Sequence, residues 1–293
     1  MSGHRAAVFA LAAGESPNIF YSADGEGFVV RWDRQQPEQG QALARVPSNV
    51  FSLYRLRSSD LLAVGSMSGV LYLISETQRQ VVLPAIQLGG AIYALCQYDK
   101  YLLVGSADGC LSVFSLPDLT LQTQISIANN SIRAIALSPV LPFAAVACSD
   151  HRVYLIDLAK WHVFESLYGH ALSVFSLAFS PDGSYLLTGG RDARLVVWDM
   201  KHNYRLLQTL PAHWFTINNI VFSPSACWFA TASRDKSIKI WNANDFQLQK
   251  VIDNSKGLWQ AHQKSVNSLL WLSEPNCLVS AGDDQKILGW TFD

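Results

Sequence analysis

A histidine and a tryptophan recur four times along this chain at one fixed separation, and no other feature limits the possible folds as strongly. In each pair the tryptophan follows the histidine by 28 residues. The pairs are His4 and Trp32, His170 and Trp198, His213 and Trp241, and His262 and Trp290. A spacing that is repeated this often indicates a chain built from copies of one structural unit.

Three weaker copies lie between the first and the second of these pairs. They carry Ile74, Phe114 and Ile156 at the tryptophan position, and at the histidine position Val46, Leu88 and Ala128. The tryptophan-equivalent positions are therefore 32, 74, 114, 156, 198, 241 and 290, which gives seven repeats with a period of about 42 residues. No linker or change of composition separates the repeats, so we expect one repetitive domain over residues 1–293.

The fifth repeat shows the pattern of strand-forming runs within a repeat, and it contains four of them. In the fifth repeat these runs are Val174–Phe179, Tyr185–Thr188, Leu195–Trp198 and Leu206–Leu210, and turn residues such as Ser180–Gly183 separate them. The runs are apolar at nearly every position, which is typical of strands covered on both faces. Helical periodicity is absent, and the pattern predicts an all-β fold of small stacked sheets.

Two dipeptides mark the beginning and the end of the strongest repeats. They are Gly3-His4 and Gly169-His170, followed by Trp32-Asp33 and Trp198-Asp199. In these residues and in its period the chain resembles the WD40-repeat family, over residues 3–293. The resemblance implies a seven-bladed β-propeller, in which each blade is a four-stranded antiparallel sheet and the blades surround a central channel.

The resemblance also implies a hydrogen-bonded tetrad of histidine, serine or threonine, aspartate and tryptophan inside each strong repeat. Matched residue by residue, the tetrads are His170, Thr188, Asp192 and Trp198; His213, Thr231, Asp235 and Trp241; and His262, Ser280, Asp284 and Trp290. The first repeat supplies His4, Ser22 and Trp32, but Glu26 stands at the aspartate position. Because the glutamate side chain is longer than aspartate, the sequence does not decide whether the hydrogen bond between His4 and a carboxylate forms in this tetrad.

The tetrad residues have the types of a nucleophilic triad, but the weak repeats argue for a structural role. A buried indole N–H needs an acceptor; a hydroxyl can accept it and donate to imidazole, and imidazole can donate to carboxylate. Such a network has to be complete, or it destabilises the core. Where the tryptophan is missing, the hydroxyl is missing too, replaced by Val64, Val104 and Val146. We therefore expect the tetrads to be structural and the chain to have no catalytic residue.

Composition excludes several classes of function. The 293 residues carry a net charge of −1 without a basic segment, so a nucleic-acid partner is not expected. Five cysteines without a Cys-x-x-Cys pair indicate neither a disulfide framework nor a zinc site, and no metal or other cofactor is predicted. Because there is no leader sequence and no long apolar run, we expect a cytoplasmic protein without a membrane partner.

One predicted partner-binding surface is a collar at the mouth of the channel. It consists of the second residue of each innermost strand, a position that faces the channel mouth in peptide-reading members of the family. These residues are Phe9, Phe51, Tyr93, Arg133, Phe175, Asn218 and Asn267. The collar would suit an aliphatic, cationic or methylated side chain through packing and cation–π contact. The alternative is that the aromatic rings only fill the neck of the channel.

A second predicted surface combines aromatic residues on loops with nearby positive charge. The aromatic residues are Trp214, Phe215 and Trp259, and the cations are Arg191, Arg194, Arg234 and Lys236. Together they would suit an acidic or phosphorylated peptide. The alternatives are local packing for the aromatic residues and a solvated rim for the charges.

The end of the last repeat predicts an open sheet edge. Only Thr291, Phe292 and Asp293 follow Trp290, so the seventh blade is expected to lack its fourth strand. Two explanations stay open: a shortened chain, or a native three-stranded blade whose edge pairs with a second copy or with a partner strand. In either case the seam between blades one and seven is predicted to be a weak point.

The sequence favours a non-catalytic scaffold that binds protein or peptide partners on the top face of the propeller. One alternative is a structural unit that self-associates through the open edge of blade seven. Another is a propeller-based hydrolase, against which no carboxylate cluster, phosphate-binding glycine loop or metal-ligand spacing occurs outside the tetrads.

Overall fold

The chain forms seven antiparallel sheets, seen in a computed structural model that describes residues 3–82, 85–254, 261–273 and 276–292. We number these sheets as blades 1 to 7 in chain order. Blades 1 to 3 consist of Val8–Ala13, Ile19–Asp24, Phe28–Asp33 and Gln41–Arg45; Val50–Arg55, Leu61–Ser66, Val70–Ser75, Gln80–Val81 and Ile86–Gln87; and Ile92–Tyr98, Tyr101–Ser106, Cys110–Ser115 and Thr120–Ser126. Blades 4 and 5 consist of Ile132–Leu137, Phe143–Cys148, Arg152–Asp157 and His162–Tyr168; and Val174–Phe179, Tyr185–Gly190, Arg194–Asp199 and Arg205–Pro211. Blades 6 and 7 consist of Ile217–Phe222, Trp228–Ser233, Ile238–Asn242 and Leu248–Ile252; and Val266–Leu272, Cys277–Gly282 and Ile287–Thr291.

Within each blade, consecutive strands pair in chain order, and the first strands of successive blades pack against one another around a ring. The first strand of blade 7 packs against the first strand of blade 1, which closes the ring. The predicted all-β, seven-bladed propeller is therefore confirmed. The four strands predicted in blade 5 are present, and three of them are longer than the predicted runs by one to two residues at one or both ends.

Two blades depart from the four-stranded pattern. The outer position of blade 2 is filled by two short pieces, Gln80–Val81 and Ile86–Gln87, which both pair with Val70–Ser75. In the part of blade 7 that the structure describes there are three strands, as the sequence predicts, and Ile287–Thr291 pairs on one side only, with Cys277–Gly282.

Apolar residues of neighbouring blades form the core, because each sheet is covered on both faces by the next. At the seam, Phe20 and Trp32 of blade 1 pack in one buried cluster with Leu272 and Val279 of blade 7. An apolar core therefore continues across the point where the two ends of the chain meet.

The two ends of the ring differ in the loops that they carry, and at one of them each first strand begins and each second strand ends. Val174 at the start of its strand pairs with Gly190 at the end of the next strand, so both residues lie at the same end of blade 5. We call this end the top face. It carries the loops that precede the first strands and the turns that join the second strands to the third.

A β-bulge interrupts every first strand at its second residue. The bulged residue has no register partner on the second strand: Phe9, Phe51, Tyr93, Arg133, Phe175, Asn218 and Asn267. A bulge changes the direction in which a side chain points without ending the strand. The same local distortion therefore sets seven side chains at the top of the channel.

Two of these bulged residues also join blades. The Asn218 side-chain N–H donates to the Val266 carbonyl of blade 7 at 2.8 Å, and the Asn267 side-chain N–H donates to the Val8 carbonyl of blade 1 at 3.1 Å. Because Asn267 spans the seam, a side chain contributes a hydrogen bond to the closure of the ring.

Replacing Asn267 by leucine is expected to lower the free energy of unfolding by about 1–3 kcal/mol, because the Val8 carbonyl loses its donor. Asn218→Leu is the matched control, since it removes the equivalent bond one blade earlier. Urea denaturation measures the loss, and hydrogen exchange locates it. If the seam is the weak point, Asn267→Leu alone accelerates exchange in Ile287–Thr291; equal exchange in both variants argues against a weak seam.

Candidate functional site

The tetrad residues of blade 6 form one hydrogen-bonded chain inside the blade. The Trp241 indole N–H donates to Thr231 Oγ1 at 3.0 Å, so the hydroxyl proton is directed to His213 Nε2 at 2.7 Å. His213 Nδ1 lies 2.8 Å from an Asp235 carboxylate oxygen, which can only accept. A neutral imidazole that accepts at Nε2 and donates from Nδ1 satisfies all four groups.

Blades 5 and 7 repeat this arrangement with the residues that the sequence predicts. Trp198 donates to Thr188 at 2.9 Å, and Trp290 donates to Ser280 at 2.8 Å. In blade 5, His170 Nε2 lies 2.8 Å from the Thr188 hydroxyl and His170 Nδ1 lies 3.0 Å from Asp192. In blade 7, His262 Nε2 lies 2.8 Å from the Ser280 hydroxyl and His262 Nδ1 lies 2.9 Å from Asp284.

Blade 1 has a complete tetrad as well, but its carboxylate is not at the predicted position. His4 Nδ1 lies 2.6 Å from Asp24 Oδ2, while the exposed Glu26 does not take part. The other Asp24 oxygen accepts the backbone N–H groups of Glu26 and Phe28, so one side chain serves both the imidazole and the turn. The sequence left this last hydrogen bond open because Glu26 stands at the aspartate position; Asp24 forms it instead, from the end of the second strand.

The tetrads offer no access to a substrate. The hydroxyl residues Ser22, Thr188, Thr231 and Ser280 have no exposed surface, and each hydroxyl already accepts an indole N–H. A nucleophile needs an open path for the group that it attacks. The hydroxyl groups of the four networks are therefore closed to a substrate, as expected of a structural role.

The collar surrounds a cavity of about 480 Å³ at the top of the channel. Its aromatic members pack in chain order: the ring centroids of Phe9 and Phe51 are 5.1 Å apart, and those of Phe51 and Tyr93 are 5.4 Å apart. All seven collar side chains are half-buried, and all seven line the cavity. The structure thus brings the predicted collar residues together around one opening.

Arg133 is the next collar residue in chain order, and its side chain contacts two aromatic rings of the collar. Its guanidinium carbon lies 4.0 Å from the Tyr93 ring centroid and 4.2 Å from that of Phe175. Two aromatic rings at these distances form cation–π contacts with one guanidinium group. Burial lowers the pKa of Arg133, and its interaction with Tyr93 opposes that shift. The collar therefore already holds, within its own chain, a cation of the kind that the sequence suggests as a ligand.

The asparagines complete the ring on the side of blades 6 and 7. Besides its bond to Val8, the Asn267 amide donates to an Asp283 carboxylate oxygen at 2.7 Å. The sequence did not indicate Asp283 as a neighbour of the collar, because only the folded chain brings it to the bulged residue. Arg133 lines the cavity itself, whereas Asp283 touches the collar through Asn267.

The top-face loop of blade 6 carries two exposed aromatic side chains next to each other, one of which, Trp214, is the most exposed large hydrophobic side chain among the described residues. Trp214 is 87% exposed and Phe215 is 58% exposed. The Trp214 backbone N–H donates to Asp235, and the Phe215 carbonyl accepts from Ser233, so the loop is tied to the turn beside it. Leu172, at the place in blade 5 that corresponds to Phe215, is also exposed. Trp259, the third predicted aromatic residue, lies outside the described residues.

The predicted cations occupy the turns next to this loop. The Arg234 backbone N–H donates to the Thr216 carbonyl, and the Arg191 backbone N–H donates to the Ser173 carbonyl. Their side chains are exposed, as are those of Arg194 and Lys236. Across the described part of the chain, none of these four side chains forms an ion pair. The top face of blades 5 and 6 therefore combines exposed apolar surface with uncompensated positive charge.

Two other kinds of site do not occur within the described ranges. No group of three or more histidine, cysteine, aspartate or glutamate side chains there can hold a metal ion. Over the same residues, no helix has the length and the apolar character needed to cross a membrane.

Three segments of the chain match the family model described as "WD domain, G-beta repeat": residues 161–199, 204–242 and 254–291. The chain is 27% identical to Actin-interacting protein 1 of Caenorhabditis elegans, over 98% of this chain and 47% of that protein. It is 23% identical to Striatin of Homo sapiens, over 68% of this chain and 28% of that protein. It is 30% identical to Protein groucho of Drosophila melanogaster, over 37% of this chain and 15% of that protein. The chain thus spans about half of the first relative and less than a third of the other two.

Proposed function

This chain is a seven-bladed β-propeller of the WD40-repeat family, and on that basis we propose that it is a non-catalytic scaffold that binds a protein partner on its top face. The observation that carries the proposal is the exposed pair Trp214 and Phe215. Large apolar side chains that stay in solvent on a rigid loop are typical of an interface, where tryptophan in particular contributes much of the binding energy. The loop is held to its own blade by hydrogen bonds, so little conformational entropy is lost on binding.

The charges around this loop support the same face. Arg191 and Arg234 stand on the turns beside it without an ionic partner among the described residues. Charge of one sign at the rim of an interface accelerates encounter with a partner of the opposite sign. The partner that this surface favours is therefore an acidic protein segment with apolar anchors.

A comparative capture experiment tests the proposal. Wild type, Trp214→Ser/Phe215→Ser and Val140→Ser/Leu141→Ser are immobilised and exposed to cell extract, and bound proteins are identified by mass spectrometry. Val140 and Leu141 form the matched control, because they are an exposed apolar pair on the loop between the first two strands of blade 4, at the opposite face. Purified actin is offered separately, since the nematode relative is named for an interaction with actin.

We expect at least one protein to bind wild type and the control, and to bind the Trp214→Ser/Phe215→Ser variant at least about 10-fold more weakly. Because both residues are exposed, thermal denaturation should show unchanged stability for that variant. Partners that bind all three proteins equally would place the interface elsewhere and contradict the proposal.

A further inference from the structure

Among the described residues, no carboxylate forms an ion pair with Arg133 of the collar. The arginine is nevertheless half-buried and in contact with two aromatic rings. A buried cation without a counter-ion is costly, and proteins ordinarily pair it. Among the residues described, the counter-charge is missing where the cavity opens to solvent.

The guanidinium group of Arg133 contacts two aromatic rings. Its carbon lies 4.0 Å from the Tyr93 ring centroid and 4.2 Å from that of Phe175, and the part that a ligand would meet is the N–H edge. That edge presents parallel donors whose spacing matches the two oxygens of a carboxylate. Held between two rings, the side chain has already lost much of the rotamer freedom that binding would otherwise cost.

The same contacts argue against a cationic guest. A lysine, an arginine or a methylated amine entering the collar would compete for aromatic faces that Arg133 already covers, and like charges would repel. The acidic group that touches the collar, Asp283, is engaged by Asn267. The expectation of a cationic or methylated guest is therefore not supported by the arrangement of the site.

We infer that the channel mouth is a receptor for a single carboxylate of a partner peptide, an aspartate or glutamate side chain that enters the collar and pairs with Arg133. This inference rests on the proposed function, because it names the chemistry that the top face recognises. The rings of Phe51 and Phe175 pack against the aliphatic part of the guest, and residues flanking it reach the loop of Trp214. The cavity of about 480 Å³ accommodates one side chain of this size.

A peptide selection tests this chemistry directly, because it does not require an identified partner. A displayed library of random dodecapeptides is selected on wild type, and the strongest binder is synthesised with its acidic residue intact and with glutamate replaced by glutamine. Fluorescence anisotropy then measures both peptides against wild type, Arg133→Gln and Arg133→Lys. Arg152→Gln is the matched control, because Arg152 also lies over a ring, 4.8 Å from the Tyr168 centroid, but on the outer strands of blade 4.

We expect one acidic position to be fixed in the selected peptides. Changing it to glutamine, or changing Arg133 to glutamine, should each weaken binding about 10- to 100-fold, and both changes together should weaken it no further. Arg133→Lys should bind with intermediate affinity, because it keeps the charge but loses the planar pair of donors. Arg152→Gln should bind as wild type does, and thermal denaturation of each variant verifies that it is folded.

Two results overturn the inference while leaving the scaffold proposal intact. One is a selected peptide whose binding depends on Trp214 and Phe215 but not on Arg133. The other is the absence of any selected peptide while the capture experiment still yields a partner that depends on the top-face loop. If neither experiment yields a binder, the carboxylate receptor and the top-face scaffold are both refuted.

Discussion

Replacing His213 by leucine is expected to lower the free energy of unfolding by about 3–5 kcal/mol, the range for breaking a buried charged network by removing one member. The substitution leaves the Thr231 hydroxyl without its acceptor, and it removes one donor from the Asp235 carboxylate inside the blade. Urea denaturation measures the loss. The matched control is His162→Leu, which changes an exposed histidine and should alter stability by less than about 0.5 kcal/mol.

If the tetrad acts as one network, replacing three of its members together should cost no more stability than replacing one. Blade 3 carries Leu88, Val104 and Phe114 at the positions of the tetrad histidine, hydroxyl and tryptophan, and its core is apolar there. The triple variant His213→Leu/Thr231→Val/Trp241→Phe copies this solution into blade 6. We expect it to be no less stable than His213→Leu alone, because it removes the unpaired groups as well. Losses that simply add would show that the groups do not act as a unit.

The second large effect is a steep loss of stability in acid. Burial alone would raise the pKa of Asp235, but the hydrogen bond from His213, with further bonds from Ser237 and the Trp214 N–H, holds it well below its usual range. The pKa values of Asp24, Asp192 and Asp284 are lowered in the same way, against the effect of burial. Carboxylates of this kind contribute stability above the unfolded-state pKa, near 4, and lose it as the pH falls further.

The tetrad of blade 6 adds a step at higher pH. Burial lowers the pKa of His213 below 6.5, and the bond to Asp235 only partly opposes this. Below about pH 6.5, therefore, His213 is protonated in the unfolded chain but stays neutral in the folded chain, and the free energy of unfolding decreases. A paired carboxylate typically contributes about 2 kcal/mol, so the loss of four should unfold the protein below about pH 3.

Urea denaturation between pH 7.5 and 3 tests both steps. The triple variant of blade 6 should lose the decline between pH 7.5 and 5.5, because it lacks His213, while it keeps the steeper decline below pH 4 from the other three blades. A decline above pH 5.5 that is identical in wild type and in the triple variant would show that His213 is not its source.

Most of the fold follows from the repeat, since the period fixes the number of blades and the apolar runs fix the strands. The tetrads of blades 5, 6 and 7 could be assigned because one spacing recurs. Asp24 could not be assigned by this spacing. A hydrogen bond depends on distance in space, and Asp24 at the end of its strand lies within that distance of His4 although it is two positions earlier in the chain than the spacing requires. The aspartate at the end of the second strand was the signal that could have located it.

The collar shows the same limit. Its seven positions could be aligned from the sequence, but the contact of Arg133 with Tyr93 and Phe175 joins residues about 40 positions apart in three blades. No local pattern reports such a contact. The interrupted outer strand of blade 2 likewise depends on pairing with Val70–Ser75 rather than on its own composition.

The seven bulges have a consequence for how this surface can change. A residue that sits outside the register of its sheet has no partner on the neighbouring strand, so its side chain can change without altering the strand pairing. Phe9, Phe51, Tyr93, Arg133 and Phe175 contact one another from blade to blade, so we expect the effect of a substitution at one of them to depend on its neighbours. We expect that changing the five residues as a set would redirect such a propeller to a new guest while its scaffold stays the same.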